Sequence, residues 1–147
     1  MILSAQQIFS DSQAITTVAN TLSTNVIDLG APGTPYGANA QVHDIGKGAK
    51  VPLLVQVDTT FTTAAGATAL TIHLETGATA ACNTIIASQT ILIADLVAGK
   101  QFNLDFLPNG IVERYLGVSY EAVTGAFNAG NITAGITMGN QTNVTGA

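Results

Sequence analysis

Across residues 68–76, Leu70, Ile72 and Leu74 alternate with Thr71, His73 and Glu75. Successive side chains of a strand point to opposite faces, so this stretch has one dry face and one wet face. Residues 51–58 repeat the pattern, with Val51, Leu53, Val55 and Val57 on the dry side. We read the two stretches as paired strands, a central hairpin. A Thr- and Ala-rich turn over residues 59–67, closed by Gly66, joins them.

The same alternation returns three times. Phe102, Leu104 and Phe106 share a face, as do Leu116, Val118, Tyr120 and Ala122, and then Ile132, Ala134, Ile136 and Met138. Pro108-Asn109-Gly110 and Thr124-Gly125 mark turns between them. Residues 25–29 form a short strand stopped by Gly30. Residues 84–96 fit one bent strand or two short ones, with a helix over 91–97 as the competing assignment. Seven or eight short antiparallel strands without a long helix make an all-β sandwich or barrel. An immunoglobulin-type domain would bring a Cys pair and a core Trp. This chain has one Cys and no Trp, so a jelly-roll sandwich is the expected fold. Residues 1–24 read as an N-terminal arm, extended except for one helical turn after Ser10-Asp11-Ser12. Residues 25–147 read as a single domain, carrying one long Gly- and Pro-rich loop over 30–50.

Apolar residues make up 47% of the 147, enough for a core, but only 9% are charged. The surface must therefore be covered by neutral polar and small residues, which keep a free monomer in solution poorly. Such a skin suits a protein whose surface is largely covered in an assembly. The net charge is −5, and Lys47, Lys50, Lys100 and Arg114 are scattered. Four separated cations make no phosphate-binding patch, which argues against nucleic acid as a partner. No apolar run approaches the length of a membrane span, and the first residues lack a basic and apolar leader, so no membrane role is expected.

Signals for chemistry are sparse. Cys82 is the single cysteine, so no intrachain disulfide forms, and nothing local would activate it as a nucleophile. A structural thiol is expected. His73 and Glu75 share a face and, with His43 and Asp44, would make four metal ligands. Nothing in the sequence brings residue 43 to that strand, and no metal or other cofactor is expected. Gly46-Lys47-Gly48 lacks the spacing of a phosphate loop and precedes a strand rather than a helix. There is no G-x-S-x-G elbow, and no catalytic residue is assigned. Tyr36 and Tyr115 are the exposed aromatics on which a sugar would have to stack.

The opening residues 1–16, and Ser23-Thr24-Asn25-Val26-Ile27-Asp28-Leu29-Gly30 after them, resemble the start of the capsid cement proteins of tailed phages, of the Bordetella-phage type. Chain length and the 68–76 strand are similar too; the latter looks like the family's central hairpin. The resemblance implies a non-enzymatic jelly-roll protein, made in the host cytoplasm and carried on the outer surface of the virion capsid. Its implied partners are the major capsid protein and sister copies of itself, in a symmetric homo-oligomer, a dimer first and a trimer second. Residues 1–12 and the 30–50 loop are the expected contacts. The alternatives are a tail- or fibre-associated jelly roll binding a host glycan, and a β-sandwich hydrolase with a carboxylate pair in a cleft.

Overall fold

The computed structural model describes residues 3–37, 39, 41, 43, 51–104, 111 and 113–137. Their strands are β1 (Leu3–Ala14), β2 (Thr21–Leu22), β3 (Ile27–Asp28), β4 (Leu53–Thr62), β5 (Ala69–Gly77), β6 (Thr84–Leu92), β7 (Gln101–Leu104), β8 (Tyr115–Val123) and β9 (Ala129–Thr137). One sheet runs β1-β9-β4-β7, and the other β2-β8-β5-β6 with β3 also on β8. All the pairings are antiparallel. The pairs nest along the chain: β1 with β9, β2 and β3 with β8, β4 with β7, β5 with β6. A long hairpin rolled up so that alternate rungs fall in two facing sheets is the jelly roll.

Strands do form on these two stretches, as β4 (Leu53–Thr62) and β5 (Ala69–Gly77), but they do not pair with each other. β4 bonds to β7 and β9, while β5 bonds to β6 and β8. Each has a dry face, and the chain satisfies both by setting them face to face across the core. Backbone hydrogen bonds then run to other strands, and side chains meet in the middle. Leu53, Val55, Val57, Leu70, Ile72 and Leu74 are all in the single core cluster. The connector after Thr62 is held to the β8–β9 connector. Thr63 Oγ1 donates to the Ala126 carbonyl at 2.9 Å, and Phe61 meets Phe127 edge-on at 4.8 Å. A Cβ on Gly125 would fall 2.1 Å from the Ala65 carbonyl oxygen, so only glycine lets these two turns touch.

The N-terminal segment is built into the sandwich rather than standing off as an arm. β1 pairs with β9, Phe9 and Ile15 are fully buried, and residues 13–20 form no helical turn. Three register shifts interrupt the pairing, the largest between Leu3 and Ile8. There the chain folds back over the outer face of the sheet. A Cβ on Gly135 would lie 3.0 Å from Leu3 Cδ2 and 3.1 Å from the Gln7 carbonyl oxygen. Leu54, opposite Gly135 on that outer face, is buried although it stands apart from the main core.

Residues 84–92 form one strand, followed by a single 3-10 turn at Ile93–Asp95 in place of a helix over 91–97. Of the 30–50 loop, the described residues form no strand. Phe106, Pro108-Asn109-Gly110, Met138, Asp44 and Gly46-Lys47-Gly48 lie outside the described residues. No described helix is long and apolar enough to cross a membrane.

One polar bond crosses the core. Ser10 donates its single hydroxyl proton to Gln13 Oε1 at 2.7 Å, so Tyr120 must donate to Ser10 Oγ, at 2.8 Å. Gln13 also accepts from the Thr24 amide at 2.9 Å and donates to the Leu22 carbonyl at 3.0 Å. These five residues sew the β1–β2 corner shut, and full burial pushes the Tyr120 phenol well above its ordinary pKa. Tyr120→Phe should lower unfolding free energy in urea by about 1–2 kcal/mol without changing the far-UV spectrum. An unchanged midpoint would mean this bond contributes nothing to joining the sheets.

Candidate functional site

Two surfaces carry the residues singled out by sequence: the outer face of the β5 sheet, and the groove beside β1. On the first, polar side chains form a lateral network across β6, β5 and β8. Thr71 Oγ1 meets Thr90 Oγ1 at 3.0 Å. His73 lies 2.7 Å from Ser88 Oγ through Nδ1 and 3.3 Å from Glu121 Oε2 through Nε2. A carboxylate only accepts, so Nε2 donates to it and Nδ1 is left for Ser88 Oγ. Glu75 Oε1 accepts from Ser119 Oγ at 2.5 Å and from Asn20 Nδ2 at 3.0 Å.

This row was expected to face solvent or another subunit. Instead Glu75 is 3% exposed and His73 8%. Over Glu75 the cause is Gly117, which pairs with it and leaves room for the loop carrying Cys82 to fold over the sheet. A Cβ there would lie 3.2 Å from both Cys82 Sγ and Leu22 Cδ1. Cys82 is 1% exposed and adopts a positive φ of 39°. Burial, and then the nearby charge of Glu75, hold its thiol above the ordinary pKa and therefore protonated. The thiol packs as part of the loop that covers Glu75.

Ser88, His73 and Glu121 share the connectivity of nucleophile, base and orienting acid. They stand on three adjacent strands, β6, β5 and β8. The lateral bonds join strands, as cross-strand polar pairs do elsewhere.

The groove, about 590 Å³, lies between residues 5–8 of β1 and residues 25–28. Its lining is mostly polar and neutral: Gln6, Gln7 and Asn25 beside Ile8, Val26 and Ile27. At its end Arg114 grips Asp28 with two bonds, Nε to Oδ1 at 2.7 Å and Nη2 to Oδ2 at 2.6 Å. That grip, then the Gly30 amide, hold the Asp28 pKa down to about 2. His43 adds only the smallest of the influences that lower Asp28. Among the described residues no three His, Cys, Asp or Glu side chains group as metal ligands. Of the aromatics, Tyr36 is fully exposed, but Tyr115 is half-buried, with the Arg114 guanidinium 5.1 Å from its ring centre. One face of the expected sugar platform is thus occupied.

A protein-family model described as Bbp16 matches residues 9–136, from the end of the β1 fold-back nearly to the end of β9. The match defines the class, a phage structural protein. The chain belongs to the Bbp16 family, named after a Bordetella phage protein. No curated protein sequence matches it.

Two outcomes follow from this geometry. Cys82 should react slowly with a thiol reagent in the native protein and rapidly in denaturant. Gly117→Val should speed native labelling, because the added methyls displace the loop; equally fast labelling of native wild type would contradict the packing. By NMR titration Asp28 should titrate near pH 2 and move toward the ordinary carboxylate range in Arg114→Gln. A lowered folded pKa stabilises the fold fully above the ordinary value of 3.8, and the contribution is lost as pH falls through about 2. Both groups are largely exposed, so it is small.

Proposed function

We propose that this protein binds the outer surface of a phage head and cements neighbouring major capsid protein subunits against the pressure of packaged DNA. The observation that carries the proposal is membership of the phage-related Bbp16 family over 9–136. The resemblance of residues 1–16 and 23–30 to capsid cement proteins supports the finer role. The negative charge supports an outer rather than DNA-facing position, since an acidic surface is repelled by phosphates. On this proposal the protein does no catalysis.

Cementing is multivalent binding. A copy that touches two shell subunits raises the effective concentration of each further contact, so weak single contacts suffice. The groove beside β1 supplies one such surface. Its backbone is pulled out of register between Leu3 and Ile8, and an extended segment of the shell laid along it would add main-chain hydrogen bonds. Deleting residues 1–9 would remove the buried Phe9 and damage the fold, so substitutions at the exposed Gln6 and Gln7 make the cleaner probe.

The test is to mix purified protein with heads lacking it, with isolated tails, and with host surface glycans, and to measure what co-sediments. Saturable binding to heads, weakened by Gln6→Arg/Gln7→Arg, is expected. Binding to tails or glycans with none to heads would overturn the proposal in favour of a tail-associated role.

A further inference from the structure

The outer face of the β1-β9-β4-β7 sheet carries two different surfaces. Over Leu54 and Gly135 it is covered by the start of β1. Beyond that cover, a row of polar groups crosses all four strands. Gln101 of β7 stands opposite Gln56 of β4, and Gln56 opposite Thr133 of β9. The three point outward, since their chain neighbours Phe102, Val55, Val57, Ile132 and Ala134 pack in or against the core. The row is tied end to end. Gln101 Nε2 donates to Gln56 Oε1 at 3.0 Å, and Gln56 Nε2 to Asp58 Oδ1 at 3.2 Å. Thr133 donates its hydroxyl proton to Asp58 Oδ2 at 2.6 Å and accepts from the Ser12 amide of β1 at 2.9 Å.

We propose that this row is a binding site for an extended, uncharged glycan, a chain of equatorially linked pyranose units laid across the strands. Hydrogen-bond chemistry is the first support. Once the row is formed, Gln101 and Gln56 each keep one amide proton, and Gln101 keeps Oε1 as an acceptor. Asp58 keeps a lone pair on each oxygen, and among the described residues it has no ion-pair partner. A sugar hydroxyl both donates and accepts, so fixed amide donors beside a fixed carboxylate match a pair of neighbouring hydroxyls. The bond to an ionised acceptor is the strong member of such a set.

Spacing is the second support. Adjacent strands lie about 4.7–4.9 Å apart, which is close to the length that one pyranose unit adds to an extended chain of this kind. A chain running perpendicular to the strands therefore meets one polar group of the row at each ring. Each side chain of the row is already held by the bond to its neighbour. Little rotamer freedom remains to be lost when a ligand settles on them.

Charge selects against other ligands. Gln101, Gln56 and Thr133 are neutral, Asp58 repels phosphate and sulfate groups, and a single carboxylate is too few to hold a divalent cation. No aromatic platform takes part, since Tyr115 stands on β8 of the other sheet and its ring lies beneath Arg114. Hydrogen bonds alone must carry the binding. It is therefore weak for one copy and strong only where many copies present the row to one surface.

The inference goes beyond head binding, and its test uses the free full-length protein, so the two proposals can fail separately. In a titration followed by proton–nitrogen correlation NMR, cellohexaose should shift the side-chain amides of Gln56 and Gln101 and the backbone amides of Ser12 and Thr133. The curve should saturate with a millimolar Kd. Maltohexaose, whose axial links coil the chain, should bind about tenfold more weakly. Asp58→Asn keeps the shape of the side chain and removes the ionised acceptor; it should weaken cellohexaose binding about tenfold with an unchanged far-UV spectrum. Gln101→Ala, at the end of the row, should weaken binding while leaving the bonds to Asp58 in place. No shift with cellohexaose, shifts confined to residues away from the row, or full binding by either variant would overturn the proposal. Equal binding of maltohexaose would overturn the match between ring and strand spacing. The same signals moving with calcium chloride but not with cellohexaose would overturn the glycan in favour of a cation.

Discussion

The structure depends on one constraint: β4 and β5 each have a dry face, and the two faces cover each other across the sandwich. Had they paired edge to edge, both dry faces would have lain on the same side of one sheet, needing another layer to cover them. By crossing between sheets after Thr62 the chain buries Leu53, Val55 and Val57 against Leu70, Ile72 and Leu74. Burial of an aliphatic side chain contributes about 1.5–3 kcal/mol, so this choice outweighs the ladder bonds either arrangement supplies equally. The remaining strands then fall into place as nested pairs, and the connectors pack where Gly125 permits.

Strands were legible because alternation is local. Leu116 to Ala122 and Ile132 to Ile136 point inward as their spacing requires. Which strand bonds to which was not legible, since residues 51–76 read equally as a hairpin within one sheet or a crossover between two. The N-terminal segment misled for a related reason. Its three register shifts blur the period that would have marked a strand, although Phe9 and Ile15 prove to be core.

The burial of Glu75 and His73 left one sequence signal. A glycine within a strand often marks close approach of another chain segment. Gly117 and Gly135 sit in β8 and β9, and each lies beneath a covering segment, the Cys82 loop in one case and the start of β1 in the other. Each sheet is thus covered at one place on its outer face, over Glu75 in one and over Leu54 in the other, as well as sharing a core. What stays open is the groove beside β1, lined by neutral polar groups, and the outer row through Gln56 and Asp58. A protein acting by contact with several neighbours needs open surfaces of this sort on a rigid frame. The Bbp16 membership joins this arrangement to a phage particle.

The central claim is that binding strengthens a shell, and DNA retention measures that most directly. Heads with and without saturating protein would be heated in steps while released DNA is followed by a dye excluded from intact particles. The account predicts release several degrees higher when the protein is bound, with the shift growing as sites fill. Identical release temperatures at full occupancy would contradict it.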